Sequence, residues 1–188
     1  MASQDNLVLY TNHRCPCESP LPLSHQTHTL TNHSPGAHRA HIALEELKVP
    51  FSEVIIDLDV PRTAEYLAVN PRGLVPALSA NGEIIIESGI VAQYLADKYP
   101  SHLVPASDAP GGALRRARIA LFVDAYGSKV TTPLFGLYRA KSVEEEEEIS
   151  QKVVAGLVKE VEPLLADAAP FFGGSDKLTL AEVWLPLE

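Results

Sequence analysis

Apolar positions along this chain follow two different rhythms. Up to about residue 98 they come in short runs split by turn-forming residues, and beyond about residue 113 they recur only at helical spacing. Leu7–Tyr10 (LVLY) is a continuous apolar run and predicts a buried strand. Ala37 to Lys48 (AHRAHIALEELK) puts Ala40, Ile42, Ala43, Leu44 and Leu47 on one broad stripe and predicts a helix. Phe51–Ile56 predicts the next strand, and Pro61 to Val69 a short helix opening on proline. Val75 and Ala77–Leu78 predict a third strand, Asn81-Gly82 a two-residue hairpin turn, and Ile84–Ile86 its partner. Ser88–Lys98 then predicts a helix, with Ser88 as N-cap and Ile90, Val91, Tyr94 and Leu95 on its apolar face.

From Tyr99 to Gly112 the composition turns to Pro, Ser, Asp and Gly, which marks a boundary. No strand signal follows it. Ala113 to about Lys141 predicts a helix kinked or broken at Pro133, and Val143 to Ala169 a second whose acidic start, Glu144–Glu148, suits the positive end of the helix dipole and reads as a solvated face. Thr179 followed by Glu182 has capping-box spacing and predicts a third helix start, six residues before the last, Glu188. The fold class expected is α/β plus all-α. Residues 1–99 form a βαβαββα domain, the order of a thioredoxin-like fold, 100–112 a linker, and 113–188 an incomplete all-helical domain.

Charge and composition narrow the function. With 24 acidic against 15 basic residues, a net charge of −9 and no basic cluster, neither nucleic acid nor an anionic membrane is an expected partner. The 46% hydrophobic content supports a proper core. The N-terminus lacks a basic segment followed by an apolar run, and no apolar stretch is long enough for a transmembrane helix, so the expectation is a cytoplasmic protein acting on small molecules.

Three stretches carry chemistry. Pro76 lies where a strand is expected, so it belongs at an edge, a bulge or a cis turn; a cis Val75–Pro76 bond would turn the Val75 backbone outward, toward an extended peptide ligand. Glu87-Ser88 at a helix start suits a carboxylate, which meets N–H groups, a hydroxyl and the dipole's positive end. Ordinary packing roles, an edge proline and a plain N-cap, are the alternatives for each. Cys15, followed by Pro16 and preceded by His13 and Arg14, lies between the first strand and first helix, where a helix N-terminus lowers a thiol pKa.

The VPAL segment, the hairpin and the Glu-Ser pair at a helix start resemble the glutathione-binding half of glutathione transferases, and the Cys-Pro pair resembles their omega-like, cysteine-type members, including fungal ones. The resemblance implies glutathione as co-substrate. Val75 and Pro76 would meet its cysteinyl part, Glu87 and Ser88 its γ-glutamyl end, and Cys15 would form a mixed disulfide with it. It further implies thiol transfer or thiol–disulfide exchange on small electrophiles or conjugates, in detoxification or fungal secondary metabolism, no metal, and a homodimer. A lysine that such relatives often place after the second strand is missing from Asp57-Leu58-Asp59-Val60-Pro61, and Arg62 is the nearest substitute.

One departure bears on activity. Residues 17–36 (CESPLPLSHQTHTLTNHSPG) stand between Cys15-Pro16 and Ala37-His38-Arg39, where relatives carry one aromatic residue. The segment reads either as an inserted loop or as a retained intron. A TGG codon split after its T, followed by an unspliced intron beginning GTGAGT and ending CCAG, translates with Cys-Glu-Ser at one end and Pro-Gly at the other. Those are Cys17-Glu18-Ser19 and Pro35-Gly36. If the segment is real polypeptide, Cys15 loses its place at a helix N-terminus and the chain is a weak or inactive isoform. Two other classes of function remain: a metal sensor built from Cys15, Cys17, His25, His28 and His33, whose spacing matches no recognised ligand frame, and a non-catalytic binding module of the same fold.

Overall fold

The structure is a computed structural model that describes residues 5–12 and 35–185. Cys15, Cys17 and the three histidines at 25, 28 and 33 lie outside those residues. The chain divides into two compact units, the first ending at Tyr99 and the second beginning at Pro100.

In the first unit the elements run β1 (Leu7–Thr11), α1 (Pro35–Leu47), β2 (Ser52–Ile55), α2 (Ala64–Val69), β3 (Ala77–Ala80), β4 (Glu83–Ile86) and α3 (Ser88–Lys98). They build one sheet of order β2-β1-β3-β4, with β1 parallel to β2 and antiparallel to β3, and β3 antiparallel to β4. The βαβαββα order read from the sequence is the order observed. The run LVLY lies in a central strand, where alternate residues Leu7, Leu9 and Thr11 are buried. Ala40, Ala43 and Leu44 of α1 and Val91, Ala92 and Leu95 of α3 are fully buried, so the two helices bring their apolar stripes into the same core.

Local boundaries differ from expectation in four places. Helix α1 starts at Pro35, not Ala37, because proline is accommodated in a first turn and Gly36 follows it into the helix. Val75 stands outside the third strand, which begins at Ala77; Pro76 therefore precedes a central strand and removes no ladder donor from it. Helix α2 begins at Ala64, capped by Thr63, whose hydroxyl accepts the Tyr66 N–H. Ser88 is the first residue of α3, and the N-cap is Glu87.

The second unit is helical: α4 (Gly112–Tyr126), α5 (Thr132–Leu134), α6 (Val143–Gly156) and α7 (Leu180–Val183). A wide π-type turn at Gly127–Thr131 joins α4 to α5, and another at Leu157–Val161 follows α6, whose chain then tightens into a 3₁₀ turn at Glu162–Leu165. The second long helix thus ends at Leu165 and not at Ala169, with Pro163 in its tightened last turn. A Cβ at Gly156 would come within 2.7 Å of the Lys129 carbonyl, so only glycine permits this approach of the two helices. Phe122 packs on Phe172 with ring centroids 5.0 Å apart. Glu144–Glu148 are exposed on the first turns of α6, where Ser142 caps the Glu145 N–H; backbone and cap hydrogen bonds hold the Glu144 carboxyl below its ordinary pKa. No helix among the described residues is long and apolar enough to cross a membrane.

Candidate functional site

The turn that carries Val75 is fixed from below by buried polar groups. Asn70, 2% exposed, donates its side-chain amide to the Leu74 carbonyl at 2.7 Å and accepts the Arg72 N–H at 3.1 Å. Tyr66, one helical turn earlier, donates its hydroxyl to the same carbonyl at 2.5 Å, and burial raises its phenol pKa. Its ring meets Tyr10 at 5.8 Å, and Ala37, Tyr66 and Val75 share one small core cluster. Gly73 sits at φ +64°, and a Cβ there would also press on the Arg62 side chain. A single carbonyl, that of Leu74, therefore collects two donors and locks residues 70–74 ahead of the Val75–Pro76 bond, which is cis.

Across the hairpin, the start of α3 has an unusual geometry. Glu87 holds φ +71° and ψ 117°, a backbone region that non-glycine residues rarely enter, and no side chain caps the helix there. Its carboxylate is ion-paired with Arg72. The Ser88 hydroxyl accepts a hydrogen bond at 3.1 Å from the Arg39 guanidinium, which reaches over from α1. With its oxygen so engaged, the hydroxyl proton is left to donate to an incoming acceptor. The helix dipole, that hydroxyl and the Arg39 charge combine to favour an anion at this end of α3.

Val75, Pro76, Glu87 and Ser88 all lie in the first unit, on the turn into β3 and the start of α3. Cys15 lies outside the described residues. Arg62 is committed elsewhere: its Nε donates to the Gly73 carbonyl at 2.9 Å and its Nη1 to those of Asp57 and Val60, which closes the loop before α2 and leaves it a clasp, not a ligand-facing cation. Sequence reasoning missed Arg39, Asn70 and Arg72. The signal for Arg39 is its place on the polar side of an otherwise apolar helix, and for Asn70 it is the Asn-Pro-Arg-Gly turn. Among the described residues no cluster of three or more His, Cys, Asp or Glu could hold a metal ion.

Residues 33–98 match the family described as "Glutathione S-transferase, N-terminal domain". The chain is 32% identical over 164 residues to maleylacetoacetate isomerase of Pseudomonas aeruginosa, covering 81% of this chain and 74% of that protein. It is 30% identical over 122 residues to glutathione transferase omega-1 of Caenorhabditis elegans, covering 64% of this chain but 46% of the relative. Among solved structures, rice GST1 in complex with glutathione superposes with a TM-score of 0.74 at 24% identity, over 98% of this chain and 73% of that one. That likeness establishes the shared fold, a thioredoxin-like unit followed by a helical one.

Proposed function

Because the chain belongs to the glutathione S-transferase superfamily, we propose that it binds glutathione at the start of α3 and acts as a cysteine-type, omega-like transferase. The observation that carries the reading is the Glu87–Ser88 helix start, strained and uncapped, with an arginine behind each residue. The γ-glutamyl carboxylate takes the Ser88 hydroxyl and the positive end of α3, and the γ-glutamyl amine takes the Glu87 carboxylate. The Val75 backbone, next to the cis Pro76, pairs with the cysteinyl part. Calorimetric titration of the chain with glutathione tests this: saturable binding that Ser88→Ala weakens about tenfold supports it, and no binding overturns it.

In the catalytic half of the proposal, Cys15 attacks as thiolate. On a glutathione mixed disulfide the Cys15 sulfur bonds to the glutathionyl sulfur, the old S–S bond breaks, and the substrate thiolate leaves and takes a proton from water. A second glutathione thiolate then attacks the enzyme-bound disulfide, which releases oxidised glutathione and Cys15. Small disulfides and glutathione conjugates, as met in detoxification or secondary metabolism, are the proposed substrates. Mass spectrometry of the protein after oxidised glutathione is the readout; the expected adduct is one glutathionyl group, lost in Cys15→Ser.

The family match begins at residue 33, beyond nearly all of the 17–36 segment, and this favours a second reading of the chain as an inactive isoform interrupted after Cys15-Pro16. Sequencing the transcript across the codons for Arg14 to Arg39 separates the two. A message reading Cys-Pro-Trp-Ala-His-Arg supports a retained intron and an active natural enzyme. A message that keeps every codon supports the interrupted form.

A further inference from the structure

The second unit contains a cavity of about 410 Å³, well away in sequence from the α3 start and inside the size range of small-molecule sites, about 300–1,000 Å³. Its apolar wall is made by Ile119 and the ring of Phe172, 6% and 4% exposed. Its charged wall is made by Arg115 and Arg118, one turn apart on α4. The two arginines are not equivalent. Arg118 donates to the Asp167 carboxylate at 2.7 Å and lies 5.9 Å from the Phe172 ring centroid, so its charge is already answered and its plane extends the wall. Arg115 donates only to the Pro110 carbonyl, at 3.3 Å, and among the described residues no carboxylate pairs with it. Ser101, also in the lining, accepts the Leu103 N–H on its hydroxyl oxygen, which leaves its proton to donate. At the rim Gly173 holds φ +65°, and a Cβ there would meet nothing within 4 Å. One carboxylate, Asp176, lines the cavity and opposes an anion.

We propose that this cavity is a second ligand site that takes a small aromatic carboxylate, with its carboxylate on Arg115 and its ring against Phe172 and Ile119. An uncompensated guanidinium beside a buried ring selects a ligand that is both anionic and flat, since the charge is answered without the ring leaving its apolar contact. The site is independent of the glutathione reading. Calorimetry with 2-naphthoate and its neutral analogue 2-naphthalenemethanol, both in saturating glutathione, tests it. The acid binds about tenfold tighter than the alcohol; Arg115→Gln removes that preference, Arg115→Lys keeps part of it, and Asp176→Asn enlarges it. Opposite effects of two surface substitutions on one ratio separate recognition from a general loss of structure. Equal affinity for acid and alcohol, absence of binding, an unchanged preference in Arg115→Gln, a weakened one in Asp176→Asn, or competition by glutathione each overturns the proposal.

Discussion

Helices α3 and α7 begin in opposite ways. At α7 the chain answers its own end: the Thr179 hydroxyl accepts the Ala181 N–H at 3.2 Å, and the Glu182 carboxylate accepts the Thr179 N–H and hydroxyl and the Phe172 N–H, each at 2.8 Å. At α3 no side chain caps the helix, Glu87 occupies a strained backbone region, and the two polar side chains at the start are held by arginines from elsewhere. A helix start that satisfies itself stabilises the fold, whereas one that spends strain to keep its end uncapped leaves its positive pole for something else. This contrast, more than any single residue, separates a structural helix end from a binding one.

If the contrast is right, substitutions at the two ends fail in different ways. The largest effect is expected at α7. Glu182→Ala orphans two part-buried N–H groups and the Thr179 hydroxyl, and stability should fall by about 2–4 kcal/mol, measured by urea unfolding. A loss below about 0.5 kcal/mol would break the comparison from the structural side. At α3 the expected order is reversed. Ser88→Ala should weaken glutathione about tenfold, roughly 1.4 kcal/mol, while the unfolding midpoint stays nearly unchanged. Arg39→Gln should show a smaller loss of affinity, because it acts through the Ser88 hydroxyl and the local charge. Were Ser88→Ala to lower stability and leave affinity intact, α3 would be an ordinary helix end.

Much of this contrast was legible in the sequence, unevenly. Thr179 and Glu182 were readable because a capping box is a fixed spacing whose partners are three residues apart. Glu87-Ser88 was readable as a helix start, but its strained N-cap was not. Nothing in the local sequence says that Ser88 is already helical, since the geometry is imposed by the tight hairpin and by Arg72, fifteen residues away in sequence. Arg39 reaches Ser88 across 49 residues, a contact that periodicity cannot announce. The same limit explains Arg62, where composition offered a ligand-facing cation and three loop carbonyls claimed it. The helices of the second unit were legible as apolar stripes. Their π-type turns were not, since these arise where two helices meet at Gly156.

Glu87→Gly sharpens the comparison from the energetic side. Glycine enters the positive-φ region without the Cβ penalty, so about 1 kcal/mol of stability should be gained in urea unfolding, less the extra entropy of the unfolded glycine. The same change removes the carboxylate proposed to meet the ligand's amine, so glutathione affinity should drop as stability rises. A variant that loses both would mean that the Glu87–Arg72 pair is structural, and the strain would then have no functional reading.

The smallest expected effect lies at the opposite end of α3, which is clamped where its start is not. Tyr99, the C-cap, donates its hydroxyl to Asp5 at 2.7 Å, and Asp5 also accepts the Asn81 amide at 2.8 Å, with the Lys98 ammonium 3.7 Å away. These hydrogen bonds, the one from Tyr99 first, hold the Asp5 carboxyl below its ordinary pKa. Because the folded value lies below the unfolded one, the contribution is present above the unfolded value, about pH 4, and is lost as pH falls through the folded value. Tyr99 has the opposite sign. Burial first, and then its bond to Asp5, raise its pKa, so its contribution is complete below about pH 10 and declines as pH rises beyond that. Tyr99→Phe removes the phenol and the main hydrogen bond to Asp5 together. In urea unfolding across pH it should flatten the stability profile on both sides, the acid limb below pH 4 and the alkaline limb above pH 10, while leaving glutathione affinity at the other end of α3 unchanged. If the acid limb keeps its slope in that variant, other carboxylates govern it and the clamp does not distinguish the two ends of the helix.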